Sequence, residues 1–436
     1  MSGRVGIRRE DNNEWERRSP VVPDHVKRLL KDGIEVVIQP STIRVFRDEE
    51  YAMAGAVVDE DLSSCDVVFA IKEIPQPVFR SGGTYVFFSH TIKGQPHNMP
   101  MLRHMMELGC TLIDYERVVD ERNRRLIFFG RQAGIAGMVE TLVAFGQRLE
   151  KEGIRNPFSA IKRPLEYGSL AEMKAALEVL GRWIASGGLP EEIVPVVVGI
   201  TGYGNVSMGA QEMLDMLPVT EVPPGKLADI TKQAAGARNN VFKVVFKEQD
   251  LVRPMTPGAA FELQDYYDHP EKYVGRFEEY LPQLSVLVNC IYWAPAYPRL
   301  ITKRYLKEHW PKLTLKVIGD ISCDVDGSVE LTNRATGPGD PNYVYEPATD
   351  SYRPGIDGDG PVIMAVDILP TEIPRDSSLY FSGVLMDYIP AITRANYGVP
   401  FEELDLPGEI KKAVILHHGE LTPDYRYIGE FLKQHA

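Results

Sequence analysis

Two short runs of this chain carry side chains able to move protons. Lys72 and Glu73 follow the apolar stretch that ends at Ile71, and His90 follows the stretch ending at Ser89. In open α/β sheets ligands gather beyond the carboxyl ends of strands, so a lysine and a histidine leaving two neighbouring strands make a candidate acid–base pair. Each has an ordinary reading too, the lysine as a solvated charge and the histidine as a structural hydrogen-bonder. Arginines and acids cluster in the same third of the chain: Arg17, Arg18, Glu116, Arg124 and Arg125. The arginine fork matches a carboxylate with two parallel hydrogen bonds, which suits a dicarboxylic substrate, while a solvated charged rim explains the same residues.

A second pattern points to a nucleotide. The apolar run 193–200 leads into Thr201-Gly-Tyr-Gly-Asn-Val-Ser, after which Ala210, Met213, Leu214 and Leu217 recur at helical spacing. Gly202 and Gly204 therefore sit where a strand turns into a helix, and backbone N–H groups there can cradle a pyrophosphate. Ser207 stands in place of the third glycine of the fingerprint. A dinucleotide is the expected guest.

The elements that must position these groups alternate. Strands are expected at 4–7, 34–39, 66–71, 84–89, 111–114 and 126–129, with helices at 23–31 and 98–108. Helices follow at 134–152 and 170–185, then strands at 241–246, 285–292 and 315–321. Nearly continuous apolar strands of this kind belong in a parallel sheet covered on both faces. Beyond Asp324 the chain is rich in Gly, Pro and Asp as far as Gly360; a strand at 362–366 and helical material at 377–389 come after.

Composition narrows the class. The 436 residues suggest two or three domains, and 44% hydrophobic with 25% charged residues is ordinary for a globular protein. A net charge of −13 opposes nucleic acid or an anionic membrane as the main partner. Cys65, Cys110, Cys290 and Cys323 are scattered with no metal-ligand spacing, so no metal site is expected. With no secretory segment and no apolar run near the ~20 residues that span a bilayer, a soluble, cytoplasmic protein acting on small molecules is expected; the oligomeric state stays open.

Several longer motifs then occur in one order: Val5-Gly-Ile-Arg-Arg-Glu-Asp-Asn-Asn-Glu-Trp-Glu-Arg-Arg-Ser-Pro, Phe87-Phe-Ser-His-Thr-Ile-Lys, Leu112-Ile-Asp-Tyr-Glu, Thr201-Gly-Tyr-Gly-Asn-Val-Ser, Val288-Asn-Cys-Ile-Tyr-Trp and Gly319-Asp-Ile-Ser-Cys-Asp. Together they resemble lysine-ketoglutarate reductase, the reductase half of bifunctional aminoadipic semialdehyde synthase. The resemblance extends to the lysine-forming saccharopine dehydrogenases and, more remotely, to alanine dehydrogenase and the transhydrogenase dinucleotide domain.

It implies reductive condensation of lysine with 2-oxoglutarate to saccharopine, or the reverse, with a nicotinamide cofactor. It casts Lys72 and His90 as the proton-transfer pair, and Arg18, Glu73, Glu116 and Arg125 as the residues shaping substrate charge. It places the cofactor against Gly202, Tyr203, Gly204, Asn205, Val206 and Ser207, with Asn289, Cys290, Ile291, Tyr292 and Asp320 nearby. His90, ordinarily titrating near 6.5, exchanges protons readily at neutrality; Lys72 does so only where its pKa falls well below about 10.4, against the pull of Glu73 and Glu116. The implied fold is two Rossmann-like α/β lobes with a cleft between them: residues 1–134 for the substrate, 135–325 for the dinucleotide, and 326–436 completing the first lobe.

The acid that grips the adenine ribose is expected at the end of the second strand of the dinucleotide fold, read here as Val219-Thr-Glu-Val. Only Glu221 is close, and Lys226 or Arg238 could accept a 2′-phosphate, so NADP(H) is favoured over NAD(H). Animal and plant members carry a saccharopine-cleaving domain after the reductase; the sequence to Ala436 holds no counterpart, and a second step is expected of another protein. A related dehydrogenase with another amino acid and keto acid, and a non-catalytic dinucleotide sensor, are the competing readings.

Overall fold

A computed structural model describes residues 3–233, 237–310 and 312–434. Its contacts divide the chain into two units, Met1–Phe129 with Pro374–Ala436, and Gly130–Ile373. The first is built on strands β1 (Gly3–Ile7), β2 (Ile34–Ile38), β3 (Val57–Val58), β4 (Val67–Phe69), β5 (Thr84–Phe87) and β6 (Thr111–Asp114). They lie parallel in the order β3-β2-β1-β4-β5-β6. Val5, Val67, Phe69, Val86 and Ile113 are fully buried or nearly so on one face, as strands covered by helices require. Helix Pro23–Lys31 supplies Val26 and Leu29 to that core; proline opens its first turn and Lys31 closes its last, in keeping with the helix dipole.

The stretch 126–129, expected as a strand, is irregular; one bridge, between Val119 and Arg125, precedes it. The reason is competition for the edge. Strand Val414–His417 pairs antiparallel with β6 and occupies the place such a strand would need.

The second unit holds β7 (Val197–Thr201), β8 (Val219–Glu221), β9 (Val241–Phe246), β10 (Val252–Pro254), β11 (Tyr273–Gly275), β12 (Val286–Asn289), β13 (Val317–Asp320), β14 (Asn342–Glu346), β15 (Ser351–Pro354) and β16 (Val362–Met364). Eight of them form one sheet in the order β15-β14-β16-β13-β12-β7-β9-β8, while β10 and β11 pair separately. Strands β8, β9, β7, β12, β13 and β16 are parallel; β14 runs antiparallel to both neighbours.

Residues 326–373, expected to complete the first lobe, group with this second unit instead. Strand β16 pairs with β13 and β14 pairs with β16, so Tyr343, Val344 and Tyr345 are buried in the second unit's core. The chain leaves that unit only after Ile373.

Helix Gly130–Lys151 lies across this sheet against helix Asn205–Leu214. The two come so close that a Cβ on Gly134 would stand 1.9 Å from the Val206 carbonyl oxygen, and one on Gly209 would stand 2.1 Å from the Arg131 carbonyl oxygen. Gly209 and Gly134 therefore allow the close approach of these two helices. Among the described residues no helix is long and apolar enough to cross a membrane, and no group of three or more His, Cys, Asp or Glu could hold a metal.

Candidate active site

In the first unit β4 and β5 are parallel neighbours, paired from Val67 with Thr84 to Phe69 with Val86, so the chain leaves both at the same edge. That brings Glu73 and His90 together: His90 Nδ1 bonds Glu73 Oε1. The amide of Asn98 reaches the same Glu73 oxygen at 3.5 Å and the His90 carbonyl at 3.3 Å, while the Asn12 amide donates to Glu73 Oε2 at 3.3 Å. Burial would raise the Glu73 carboxyl, but the hydrogen bond and charge of His90 outweigh it and bring it down to about 2. His90 itself sits at φ 47°, a left-handed conformation that costs a non-glycine residue and gathers at functional sites. Its ring stacks on Phe88 at 6.2 Å and 12°.

Lys72 precedes Glu73 in the same turn and is half-buried. Its backbone N–H is held by Glu10 Oε2 at 3.1 Å, and among the described residues no carboxylate lies within 4.0 Å of its ammonium group. Asp114, at the end of β6, fixes the next two pieces. Its Oδ2 accepts the Ser89 N–H at 3.1 Å and its Oδ1 accepts the Glu116 N–H at 2.7 Å; burial pushes its carboxyl up to about 6.

Glu116 is buried and pairs with the half-exposed Arg125. Arg18 is not an open fork. It is buried, its Nε and Nη2 donate to the two oxygens of buried Glu16 at 2.7 and 2.6 Å, and its guanidinium lies 4.3 Å from the Phe129 ring centre. Phe129 and Phe88 belong to one aromatic cluster, with ring centres 6.4 Å apart, so Arg18 and His90 flank it from different rings. Glu10, Glu16 and Asp114 went unpicked in the sequence. Glu10 follows β1 and Asp114 ends β6, whereas Glu16 lies in the loop after β1; none has a spacing that marks it apart from the motifs containing it.

In the second unit the glycine turn has the form its residues predict. Gly202 has φ 84°, and an added Cβ would press on Ile291 Cγ2 at 3.1 Å; Gly204 faces open space. Gly204 caps helix Asn205–Leu214 with no side-chain hydrogen bond, so the first N–H groups of that helix lack an intramolecular cap. The turn lines a cavity of about 300 Å³ together with Tyr203, Glu248, Tyr266, Tyr267, Cys290, Ile291, Tyr292 and Trp293. Bare N–H groups beside an aromatic-walled cavity fit a pyrophosphate joined to flat rings.

Asn205 is exposed at the helix start and Val206 half-buried, whereas Ser207 is buried and accepts from the Gln211 amide at 3.0 Å. Asn289 and Asp320, expected near the cofactor, have buried side chains engaged with the protein. Asn289 accepts from Thr201 and donates to Asp320 and Ser328, all at 2.8 Å, and Asp320 accepts from Thr332 at 2.5 Å. Burial lifts the Asp320 carboxyl to about 6. This network ties the ends of β7, β12 and β13 together; Cys290, Ile291 and Tyr292, just beyond it, face the cavity.

The ribose position needs correcting. The strand beside β7 is β9, and β8 is the outer edge. The acid expected at the end of the second strand of the fold must therefore be sought after Phe246, where Glu248 lines the cavity and accepts the Tyr267 hydroxyl at 2.8 Å and that of Tyr203 at 3.5 Å. Glu221 instead pairs with Lys243 at 3.2 Å. Arg238 donates to the Leu189 carbonyl at 2.7 Å ahead of β9, the end of the sheet opposite Gly202. Lys226 is an exposed residue 4.0 Å from Asp229.

Comparison with known proteins agrees with this architecture. The family described as alanine dehydrogenase/PNT, N-terminal domain, matches residues 6–136. An L-alanine dehydrogenase structure superposes over 98% of this chain and 99% of its own at TM-score 0.62 and 16% identity. A transhydrogenase from Sinorhizobium meliloti does so over 96% and 100% at 0.57 and 16%. Two Rossmann-like α/β sheets, one bearing a glycine turn over an aromatic cavity, define the alanine dehydrogenase/transhydrogenase class of fold.

The curated relatives narrow that class. α-Aminoadipic semialdehyde synthase of Arabidopsis thaliana is 40% identical over 449 residues, 99% of this chain and 42% of its own. The mitochondrial enzyme of that name from Rattus norvegicus is 33% identical over 97% and 47%. Saccharopine dehydrogenase [NAD(+), L-lysine-forming] of Neurospora crassa is 27% identical over 89% and 90%. The chain spans about half the length of the synthases it matches. Over nearly its whole length the chain is similar to part of these synthases and, at lower identity, to the lysine-forming saccharopine dehydrogenases, the same resemblance that its motifs carry.

Proposed function

We propose that this protein catalyses the reductive condensation of lysine with 2-oxoglutarate to saccharopine, or the reverse. The observation that carries the reading is the Glu73–His90 pair, set in one turn with Lys72 at the ends of two neighbouring strands. Amine attack on a keto carbon releases water and moves a proton at each stage. Bound reduced nicotinamide supplies the hydride that completes the reaction.

Because His90 Nδ1 faces Glu73, its Nε2 is the nitrogen that exchanges a proton with the substrate amine. Glu73 stays ionised at any working pH and orients the ring. Lys72, whose ammonium has no carboxylate within 4.0 Å among the described residues, is the second proton carrier and stands beside the ionised Glu73. Arg125, whose guanidinium stays half-exposed beyond its bond to Glu116, holds a substrate carboxylate. Arg18 offers only the nitrogen that Glu16 leaves free. Its alanine variant would strand buried Glu16 at a cost of about 3–5 kcal/mol, so Arg18→Lys is the fairer probe of its role.

Glu248 bears on the cofactor. A carboxylate at the end of the second strand accepts ribose hydroxyls and repels a 2′-phosphate, which favours NAD(H) over NADP(H). The grounds for NADP(H) were Arg238 and Lys226, and neither lines the cavity. The test is oxidation of NADH and of NADPH with lysine and 2-oxoglutarate, each omitted in turn, beside pyruvate with ammonia. Oxidation that requires both lysine and 2-oxoglutarate supports the proposal; oxidation with pyruvate and ammonia but not with lysine overturns it.

A further inference from the structure

Behind the Lys72 turn lies a carboxyl that the proposed chemistry does not use. Glu10 follows β1, is 4% exposed, and spans a pair of backbone donors: Oε1 accepts the Ile71 N–H at 2.7 Å and Oε2 accepts the Lys72 N–H at 3.1 Å. A carboxylate that accepts two consecutive N–H groups fixes the direction of the chain they belong to, and the residues so fixed are those that carry Lys72 and Glu73. The geometry points to Glu10 as a positioning residue for the Lys72–Glu73–His90 group. This rests on the reaction proposed above and deepens it.

Several charged and titratable groups surround Glu10. Arg8 lies on its own strand end, Glu16 on the following loop and Tyr115 beyond β6, while Arg9, Asp11, Glu14 and Asp48 line the same open pocket as Glu10. The Tyr115 hydroxyl is buried with no hydrogen-bond partner among the described residues, so it does not relieve the carboxyl. Burial, with the charge of Glu16, raises the Glu10 carboxyl to about 7, against the two N–H bonds and Arg8. Protonation puts a hydrogen on one of the two accepting oxygens and releases one of the two N–H groups. The turn is therefore held by two bonds above neutrality and by one below it.

Glu10→Gln in the full chain tests this, since glutamine keeps one acceptor oxygen and cannot titrate. Two readouts are taken, the NMR titration of the His90 ring and kcat with KM for NADH. Besides the ring's own ionisation, the wild-type His90 resonances should register a second step near pH 7, from Glu10, that is absent from the variant. The variant's kcat should fall about 10-fold with KM for NADH within about twofold, the signature of misplaced rather than missing catalytic groups. Identical His90 titrations in the two proteins overturn the assignment, as does a kcat loss that follows the loss of folded protein. A wild type that oxidises no cofactor with lysine and 2-oxoglutarate sinks the reaction itself, and the His90 titration still decides the role of Glu10.

Discussion

The first unit's site is made of charged and amide side chains, whereas the second unit's cavity sets bare backbone N–H groups beside aromatic walls. Around His90, besides the Phe88 ring on which it stacks, stand placed charges and amides: Glu73 and Asn98, with Asn12 on Glu73, and behind them Glu10 and Asp114. At the glycine turn the useful groups are backbone N–H donors exposed because Gly202 and Gly204 carry nothing. Proton transfer demands titratable groups at set distances, whereas a pyrophosphate demands only donors that can be approached. The two regions therefore differ in what a substitution does to them.

The largest effect belongs to the first region. Lys72→Met or His90→Gln should lower kcat by about 10²-fold or more, the usual scale for a lost acid or base, with NADH binding by fluorescence titration retained. Loss of cofactor binding in either variant would blur the separation between the regions.

In the second region packing comes first. Gly134→Ala should cost about 1–3 kcal/mol in chemical denaturation, because the obstacle is the Val206 backbone carbonyl rather than a movable side chain. Unchanged stability would show that the two helices pack less closely than described. A smaller effect follows at Glu248. Replacing it with arginine should shift kcat/KM toward NADPH by about 10-fold or more, one charge-assisted hydrogen bond changing sign of preference. A ratio left unmoved would detach Glu248 from the ribose.

The smallest effects are in pH dependence, and two carboxyls beside Lys72 oppose one another. Glu73, held at about 2 against an ordinary 4.5, adds stability that is present above 4.5 and lost as pH falls toward 2. Glu10, raised from 4.5 to about 7, favours the fold below 4.5, and that contribution is lost as pH rises toward 7. Denaturation midpoints followed across pH should show the acid slope flattened in Glu73→Gln and the neutral slope flattened in Glu10→Gln. The reverse assignment of slopes would contradict both.

The same contrast governs what could be read from the chain. Gly202 and Gly204 announce themselves because a strand, two glycines and a helix are a local pattern. Lys72 and His90 show only that they follow two apolar strands; each has an ordinary reading, and their roles as a pair come with the resemblance to a family. Glu10 and Asp114 act on partners 61 and 25 residues away, a relation no local spacing displays. The order of strands in a sheet is equally non-local: Val219–Glu221 comes next in sequence after β7, yet β9 lies next in space, and that order is the ground for proposing Glu248 as the ribose acid. The stretch 326–360 reads as loop from its Gly, Pro and Asp, and its buried tyrosines are the residues that tie it to the second sheet.

The central claim is that the lysine side-chain nitrogen is joined to the keto carbon rather than released as ammonia. The direct measurement is mass spectrometry of the product formed from ε-¹⁵N-lysine, 2-oxoglutarate and NADH. The account predicts saccharopine with the ¹⁵N retained in its secondary amine. Oxidation of NADH with the label left in lysine, or recovered in glutamate, would contradict it.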